Sequence, residues 1–407
     1  MHFNQFNLDS RILSGISQAG YATPTPVQTA SIPVILSGRD LIGTAQTGTG
    51  KTAAFVLPIM QQLLTAGRNG SRALILTPTR ELAEQIHRTI CDLGKGTPLR
   101  SATIYGGVSA TPQIRRLQQG VEILVACPGR LLDLVEQGAA DLSQVRWLVL
   151  DEADRMLDMG FLPSVQKILR LIPGQRQTLL FSATFPREIE SLAKQALHQP
   201  ERVSVGLSRP AHTVSHALYP VASHLKTSLL LSLLQRTDAG SVLIFTRTRH
   251  RAQRLAQQIG RKGFKVTSLH SDRSQSQRQA ALNGFKNGSY QIMVATDIAA
   301  RGLDVESISH VINYDMPDTA DAYIHRIGRT GRMQRKGDAF TLTTADDLDM
   351  VKTLEKIMGQ RLPQTLLTDF DYSPPATDKK TVTGFSGPSA ARNQRPFGRF
   401  AGAGRRR

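Results

Sequence analysis

The chain of 407 residues has two cysteines, Cys91 and Cys127. They stand far apart and share no ligand-like spacing with a histidine, which argues against a zinc site or a disulfide framework. No apolar run approaches the ~20 residues that a membrane span needs. The first residues, Met1-His2-Phe3-Asn4-Gln5, lack a basic stretch followed by an apolar one, so no signal peptide is read there. A soluble, cytoplasmic protein with no membrane partner is the expectation. Carboxylates are also scarce: 32 Asp and Glu stand against 50 Lys and Arg, a formal net charge of +18. That surplus favours a polyanionic partner, because each cation that neutralises a phosphate releases counterions. From Tyr372 onward two Lys and six Arg face one Asp, so +7 of the charge sits there and +11 is spread over the first 371 residues.

At roughly 100–200 residues per domain, the length suggests two or three domains. Short, nearly continuous apolar runs recur: Ala73-Leu-Ile-Leu76, Ile123-Leu-Val-Ala126, Trp147-Leu-Val-Leu150, Val242-Leu-Ile-Phe245, Ile292-Met-Val-Ala295 and His310-Val-Ile312. Helix-compatible stretches separate them. Such runs suit strands buried on both faces of a parallel α/β sheet, with helical crossovers between. The two halves also repeat each other. Ala73-Leu-Ile-Leu-Thr-Pro-Thr-Arg80 overlays Val242-Leu-Ile-Phe-Thr-Arg-Thr-Arg249, and Glu122–Ala126 overlays Gln291–Ala295 at the same offset of 169. The expected organisation is two tandem α/β parallel-sheet domains, 1–205 and 216–371, joined by a Gly/Ser/Pro-containing linker at 206–215. The tail, 372–407, is rich in Pro, Gly, Ser and Arg and is expected to be disordered, reaching roughly 30–35 Å on average.

The run Asp40–Thr44 leads into Ala45-Gln46-Thr47-Gly48-Thr49-Gly50-Lys51-Thr52 and then a helix-compatible stretch. This is the strand–loop–helix context of a phosphate loop. Glycines let backbone N–H groups turn toward phosphate oxygens, and the helix N-terminus adds favourable potential. Lys51 would reach the β- and γ-phosphates of ATP and Thr52 would ligand Mg²⁺. The generic pattern begins with Gly, where this chain has Ala45. A second apolar run, Val145–Leu150, enters Asp151-Glu152-Ala153-Asp154. Ligands of open α/β sheets bind beyond the carboxyl ends of strands. Asp151 would hold Mg²⁺ on a strand neighbouring the phosphate loop, and Glu152 would orient and deprotonate the attacking water. An acidic helix start is the bland alternative, and the phosphate loop in the same domain outweighs it.

With these motifs in order, residues 3 to about 345 resemble the DEAD-box RNA helicases, the box itself reading Asp-Glu-Ala-Asp. The resemblance implies that the two tandem parallel-sheet domains are RecA-like, and that RNA-stimulated ATP hydrolysis is coupled to opening of short duplexes or remodelling of RNA–protein complexes. Gly20–Gln28 is similar to the family's Q motif, which implies that Gln28 reads adenine, Tyr21 packs on the base and Phe3 is the upstream aromatic. A carboxamide donates and accepts at once, which suits that edge. Ser182-Ala183-Thr184 matches the coupling motif, to which Asp154, His325 and Arg326 are also assigned. His325-Arg-Ile-Gly-Arg329-Thr-Gly-Arg332 matches the motif whose Arg329 and Arg332 would stabilise charge at the γ-phosphate, a contribution of roughly 10³–10⁵ in rate. In Ala295–Asp304, Gly302 and Asp304 are assigned to the nucleotide and Thr296 to an RNA phosphate. Pro78, Thr79, Arg80, Gly106, Gly107, Gly129, Arg130, Gln275 and Arg278 complete the RNA side. These residues offer hydroxyl, guanidinium and backbone donors suited to phosphate and sugar, so little sequence preference is expected.

One position departs from the family's usual Thr-Pro-Gly-Arg, namely Cys127 before Pro128-Gly129-Arg130. It aligns with Thr296 in the repeat, and a thiol is the weaker donor, so RNA binding should be slightly weaker than with Thr. A DNA translocase with the same core and a non-enzymatic RNA clamp are the rival readings. The intact set Lys51, Asp151, Glu152, Arg329 and Arg332 argues against the clamp. A monomer is expected, acting in ribosome assembly, RNA decay or cold adaptation. The short basic tail and compact core resemble bacterial helicases of the RhlE type, and Arg399-Phe400 and Pro396-Phe397 would suit an RNA tether, with a solubilising linker the equal alternative.

Overall fold

A computed structural model describes residues 2–44, 49–66, 70–205, 214–236, 240–300, 308–331 and 337–373. Seven strands make a first, wholly parallel sheet: β1 (Leu41–Thr44), β2 (Ala73–Leu76), β3 (Ser101–Ile104), β4 (Ile123–Ala126), β5 (Trp147–Leu150), β6 (Gln177–Ser182) and β7 (Glu201–Ser204). Their spatial order is β3-β4-β2-β5-β6-β1-β7. Six more make a second parallel sheet in the order β10-β11-β9-β12-β13-β8: β8 (Val214–Pro220), β9 (Val242–Thr246), β10 (Val266–Leu269), β11 (Ile292–Thr296), β12 (His310–Asn313) and β13 (Gly337–Thr343). Each sheet with its helices is called a lobe below, and both lobes fall within one compact unit ending at Phe370.

The apolar runs are strands because both faces of each sheet are covered. In β2, Ala73 and Ile75 join one core while Leu74 and Leu76 join the other, as a period of two requires. Helices Lys51–Thr65 and Arg80–Leu93 supply the first core, and Pro128–Glu136, Leu162–Leu171 and Arg187–Ala196 the second. Each fully buried Leu or Ile stabilises the lobe by roughly 1.5–3 kcal/mol.

The internal repeat is visible in the pairing register. Ala73 pairs with Ile123 in the first sheet, and Val242 with Ile292 in the second, both 169 positions later. The helix starts match too: the Thr79 hydroxyl accepts from the Leu82 N–H, and the Thr248 hydroxyl from the Arg251 N–H. These are N-caps that satisfy otherwise unpaired helix donors.

Two boundaries differ from the sequence expectation. β8 begins at Val214, inside the span expected as linker, because Val214–Pro220 pairs along its length with Gly337–Thr343. The chain after the last helix also returns to this sheet: Leu218 N–H donates to Pro363 and Thr365 N–H to Leu218, which covers the open edge of β8. Most of the expected linker and all but the first residues of the expected tail lie outside the described residues. No helix among the described residues is long and apolar enough to cross a membrane.

A candidate nucleotide site facing a nucleic-acid path

The carboxyl ends of β1, β5 and β6 carry the phosphate loop, Asp151-Glu152 and Ser182-Ala183-Thr184. The strand order corrects one expectation: β5 and β1 are not neighbours, since β6 lies between them and pairs with both. Ser182 therefore ends the strand that separates the phosphate loop from the acidic pair. Of the loop, Thr49 to Thr52 are described, whereas Ala45, Gln46, Thr47 and Gly48 lie outside the described residues. Gly50 (φ 92°) precedes helix Lys51–Thr65, a backbone conformation that favours glycine. Its place is also crowded, for a Cβ there would lie 2.6 Å from the Gln28 amide nitrogen.

Gln28 is fully buried and straps two segments together. Its Oε1 accepts the Thr25 N–H at 2.9 Å, and its Nε2 donates to the Gly50 carbonyl at 3.0 Å. Thr25-Pro26-Val27-Gln28 opens a helix in this way, with Pro at its first position. One amide N–H and one oxygen lone pair remain for another partner. Nearby, Phe3 is buried edge-on against half-buried Tyr21, ring centroids 6.3 Å apart, beside a cavity of about 440 Å³.

Asp151 and Glu152 are both buried. Burial pushes the Asp151 carboxyl up to about 6, with the Lys51 charge opposing and the Glu152 charge adding to the rise. Among the described residues it accepts the Glu152 N–H at Oδ1, 3.0 Å away. Glu152 adopts φ 54°, ψ 52°, a left-handed conformation unusual for a residue other than glycine. Its Oε2 accepts from Arg155 Nη1 at 2.6 Å, with both side chains buried. Arg155 thus fixes the Glu152 carboxylate. Sequence reasoning missed this residue, although the i, i+3 spacing at a helix start was a usable signal.

Asp154 is the hub of the coupling group. Its Oδ2 accepts from the N–H groups of Ala183 and Thr184 at 3.1 and 3.0 Å and from the Thr184 hydroxyl at 3.2 Å. Its own N–H donates to Ser182 Oγ, whose hydroxyl donates to the Thr184 carbonyl at 2.7 Å. The box and the end of β6 are therefore one hydrogen-bonded unit.

Opposite lies the arginine loop of the second lobe. A cavity of about 510 Å³ is bounded by Asp154, Arg155 and Thr184 on one side and His325, Arg326 and Arg329 on the other. Arg326 is locked inside its own lobe. It makes two 2.6 Å bonds to Asp297 and donates to Asn313 Oδ1 and the Asp315 carbonyl. These bonds tie down the end of helix Ala320–Ile327, which carries His325 and leads into Arg329, and Asp297 and Asn313 are further residues that the sequence did not single out. Burial pushes His325 down to about 4, with the Arg155 charge adding to the shift. Arg329 is buried in this cavity wall, while Arg332, Gly302 and Asp304 lie outside the described residues.

The residues assigned to RNA also meet across the lobes. Arg80 donates to Gln275 Oε1 at 3.3 Å, and Arg278 lies 2.8 Å from Glu81. The Arg80 guanidinium covers Gly107 (φ 75°), where a Cβ would lie 2.2 Å from it. Arg130 donates to the Val108 carbonyl next to Gly106-Gly107, and Gly129 faces open space. Pro78 and Thr79 follow β2, and Thr296 ends β11. Cys127 is buried, and its thiol is pushed up to about 12 by that burial and the nearby Glu81 charge. It occupies the N-cap of helix Pro128–Glu136 without a side-chain cap bond, unlike Thr79 and Thr248.

Two parallel sheets, one carrying the phosphate-loop and acidic-box residues and the other the arginine-motif residues across a shared cavity, define a nucleic-acid-stimulated NTPase of the helicase class. Comparison with known proteins narrows this. The DEAD/DEAH box helicase model matches residues 25–192, and the helicase conserved C-terminal domain matches residues 225–334. The chain is 43% identical over 412 residues to DEAD-box ATP-dependent RNA helicase 30 of Arabidopsis thaliana, covering 99% of this chain and 68% of the relative. It is 43% identical over 375 residues to ATP-dependent rRNA helicase RRP3 of Meyerozyma guilliermondii, covering 92% and 78%. The fold is similar to S. cerevisiae Dbp5 bound to RNA and ADP BeF3, with TM-score 0.80, 29% identity, and coverage of 90% of this chain and 95% of that one. The chain belongs to the DEAD-box family of ATP-dependent RNA helicases.

Proposed function

We propose that this chain hydrolyses ATP between its lobes under control of RNA bound across both, and that closure of the lobes locally opens short RNA duplexes. The observation that carries this reading is the meeting of two sets of residues from different lobes: Arg155 and Asp154 face Arg329 and His325, and Arg80 and Glu81 meet Gln275 and Arg278.

In this reading Lys51, at the first turn of its helix, takes the β- and γ-phosphates, and Gln28 uses its remaining amide valences on adenine. Thr52 and Asp151 form an all-oxygen donor pair, the chemistry that a hard cation prefers. Asp151 is buried, so a cation at its carboxylate would offset the cost of that burial. Mg²⁺ held by this pair would neutralise charge on the phosphates. Glu152, fixed by Arg155, orients the attacking water and takes its proton. Arg329 and Arg332 stabilise charge on the γ-phosphate once the lobes close. Asp154 passes the change to Ser182 and Thr184 through the hydrogen bonds described above.

RNA contacts made by Pro78, Thr79, Arg80, Gly106, Gly107, Gly129, Arg130, Gln275, Arg278 and Thr296 would reach phosphate and sugar, giving little sequence preference. Relatives named as rRNA helicases make ribosomal RNA the first natural substrate to try. The narrower RhlE-type reading rests on the short basic tail and the compact core, and the relatives above are plant and yeast proteins. ATP turnover with saturating RNA and DNA oligonucleotides of one sequence separates this reading from a DNA translocase. Stimulation by RNA at least tenfold above DNA is expected, and equal stimulation would overturn it.

A further inference from the structure

The duplication supplies an internal control on surface charge. Helix Arg80–Leu93 of the first lobe and its counterpart Arg249–Gly260 of the second share their buried positions, Ala83 with Ala252, Ile86 with Leu255 and Ile90 with Ile259. Their outer faces differ. Residues 80–93 carry two cations and three carboxylates, whereas the matching residues 249–262 carry five cations and no carboxylate. Glu81, Glu84 and Asp92 are replaced by His250, Gln253 and Arg261. Packing therefore does not call for the change.

Two of the five cations are paired, Arg249 with Asp272 at 2.7 Å and Arg251 with Asp315 at 2.6 Å. Arg254, Arg261 and Lys262 are exposed and have no carboxylate within 4 Å among the described residues. The helix dipole favours cations at Arg261 and Lys262, yet the first-lobe helix carries Asp92 at the same place. Arg254 and Arg261 are seven residues apart, so they share one face about 10 Å apart along the axis. Exposed Gln257 lies between them. No large apolar side chain is exposed on this helix, which argues against a protein partner, whose docking would need an apolar centre. The helix starts at the cleft: β9 ends at Thr246, in register with Thr296, and the helix then packs outward over β10 and β11.

We infer that Arg254, Arg261 and Lys262 form an RNA track outside the cleft, which takes the phosphates of a strand that continues past Thr296. The inference rests on the RNA reading above but concerns a separate surface. The test uses the full chain with Arg254→Gln/Arg261→Gln/Lys262→Gln, beside Lys167→Gln/Arg170→Gln/Lys194→Gln, exposed first-lobe sites with the same change in charge. Binding of a long (about 25-nucleotide) and a short (about 6-nucleotide) single-stranded RNA is titrated at several salt concentrations. At ~0.7 per phosphate contact, loss of three contacts should flatten the salt slope for the long RNA by about 2 and weaken it tenfold or more. Short-RNA affinity and RNA-saturated ATP turnover should stay as in wild type, and the first-lobe control should change neither. Equal loss in the control, equal loss on both RNAs, or an unchanged slope on the long RNA would overturn the track. Failure of any RNA to bind wild type would instead overturn the RNA reading itself.

Discussion

Glu152 sits in the left-handed region, which costs a non-glycine residue about 1–3 kcal/mol. The surroundings hold it there: Arg155 clamps its carboxylate, and its own N–H donates to Asp151. Strain maintained at the end of a central strand is a feature of functional sites, and it aims the carboxylate away from the ordinary path of a helix start. Cys127 is the opposite case, a residue that gives up a contact. Thr79 and Thr248 cap the helices that follow β2 and β9, whereas Cys127 leaves the helix after β4 uncapped. Cys127→Thr should raise stability by about 0.5–2 kcal/mol in urea unfolding. It should also tighten RNA binding modestly, and identical RNA affinity of the two proteins across salt concentrations would reject the second effect.

At the scale of elements, the joint between the box and the end of β6 is the most connected polar unit of the site. Ser182→Ala/Thr184→Ala removes the Ser182 acceptor of the Asp154 N–H, the Ser182 bond to the Thr184 carbonyl and the Thr184 hydroxyl bond to Asp154, but leaves the Ala183 and Thr184 N–H bonds to Asp154 Oδ2 in place. Duplex opening should therefore fall much further than RNA-stimulated ATP turnover, and parallel losses would contradict a coupling role. Several histidines are held toward the neutral form: burial pushes His87, His216, His270 and His310 below the ordinary 6.5. The unfolded chain takes up these protons as pH falls below 6.5 while the folded chain resists, so stability must decline there. Asp151, raised to about 6 from 3.8, works the other way but is one group. The urea midpoint should be lower at pH 5.5 than at pH 7.5, and a higher midpoint would be inconsistent with neutral buried histidines.

Elements with both faces buried were legible in the residues, since Leu74, Val125, Val149, Ile244 and Val294 stand in continuous apolar runs. Edge strands β3, β7 and β10 carried no such run, because a strand such as Glu201-Arg-Val-Ser204 buries only Val203. The phosphate loop, the box and the arginine loop were legible because their chemistry restricts residue type. Asp297 and Asn313 were not, since the fold brings them to Arg326 across 29 and 13 residues, whereas Arg155 was within reach of a reading at i, i+3 from Glu152.

For the molecule as a whole, duplication gave two sheets of one topology and then divided the labour between them. The first lobe kept the phosphate loop and the acids; the second supplies Arg329 and the guanidinium contacts at Gln275 and Arg278. In the proposed reading neither lobe holds a complete site, so hydrolysis should depend on RNA bringing the two together. Glu152→Gln tests this most directly, with ATP binding and RNA-saturated turnover measured on the same preparation. The variant should bind ATP within a fewfold of wild type and turn it over about 10²–10⁴ times more slowly, the range for loss of a general base. RNA-stimulated turnover like that of the wild type would contradict the account.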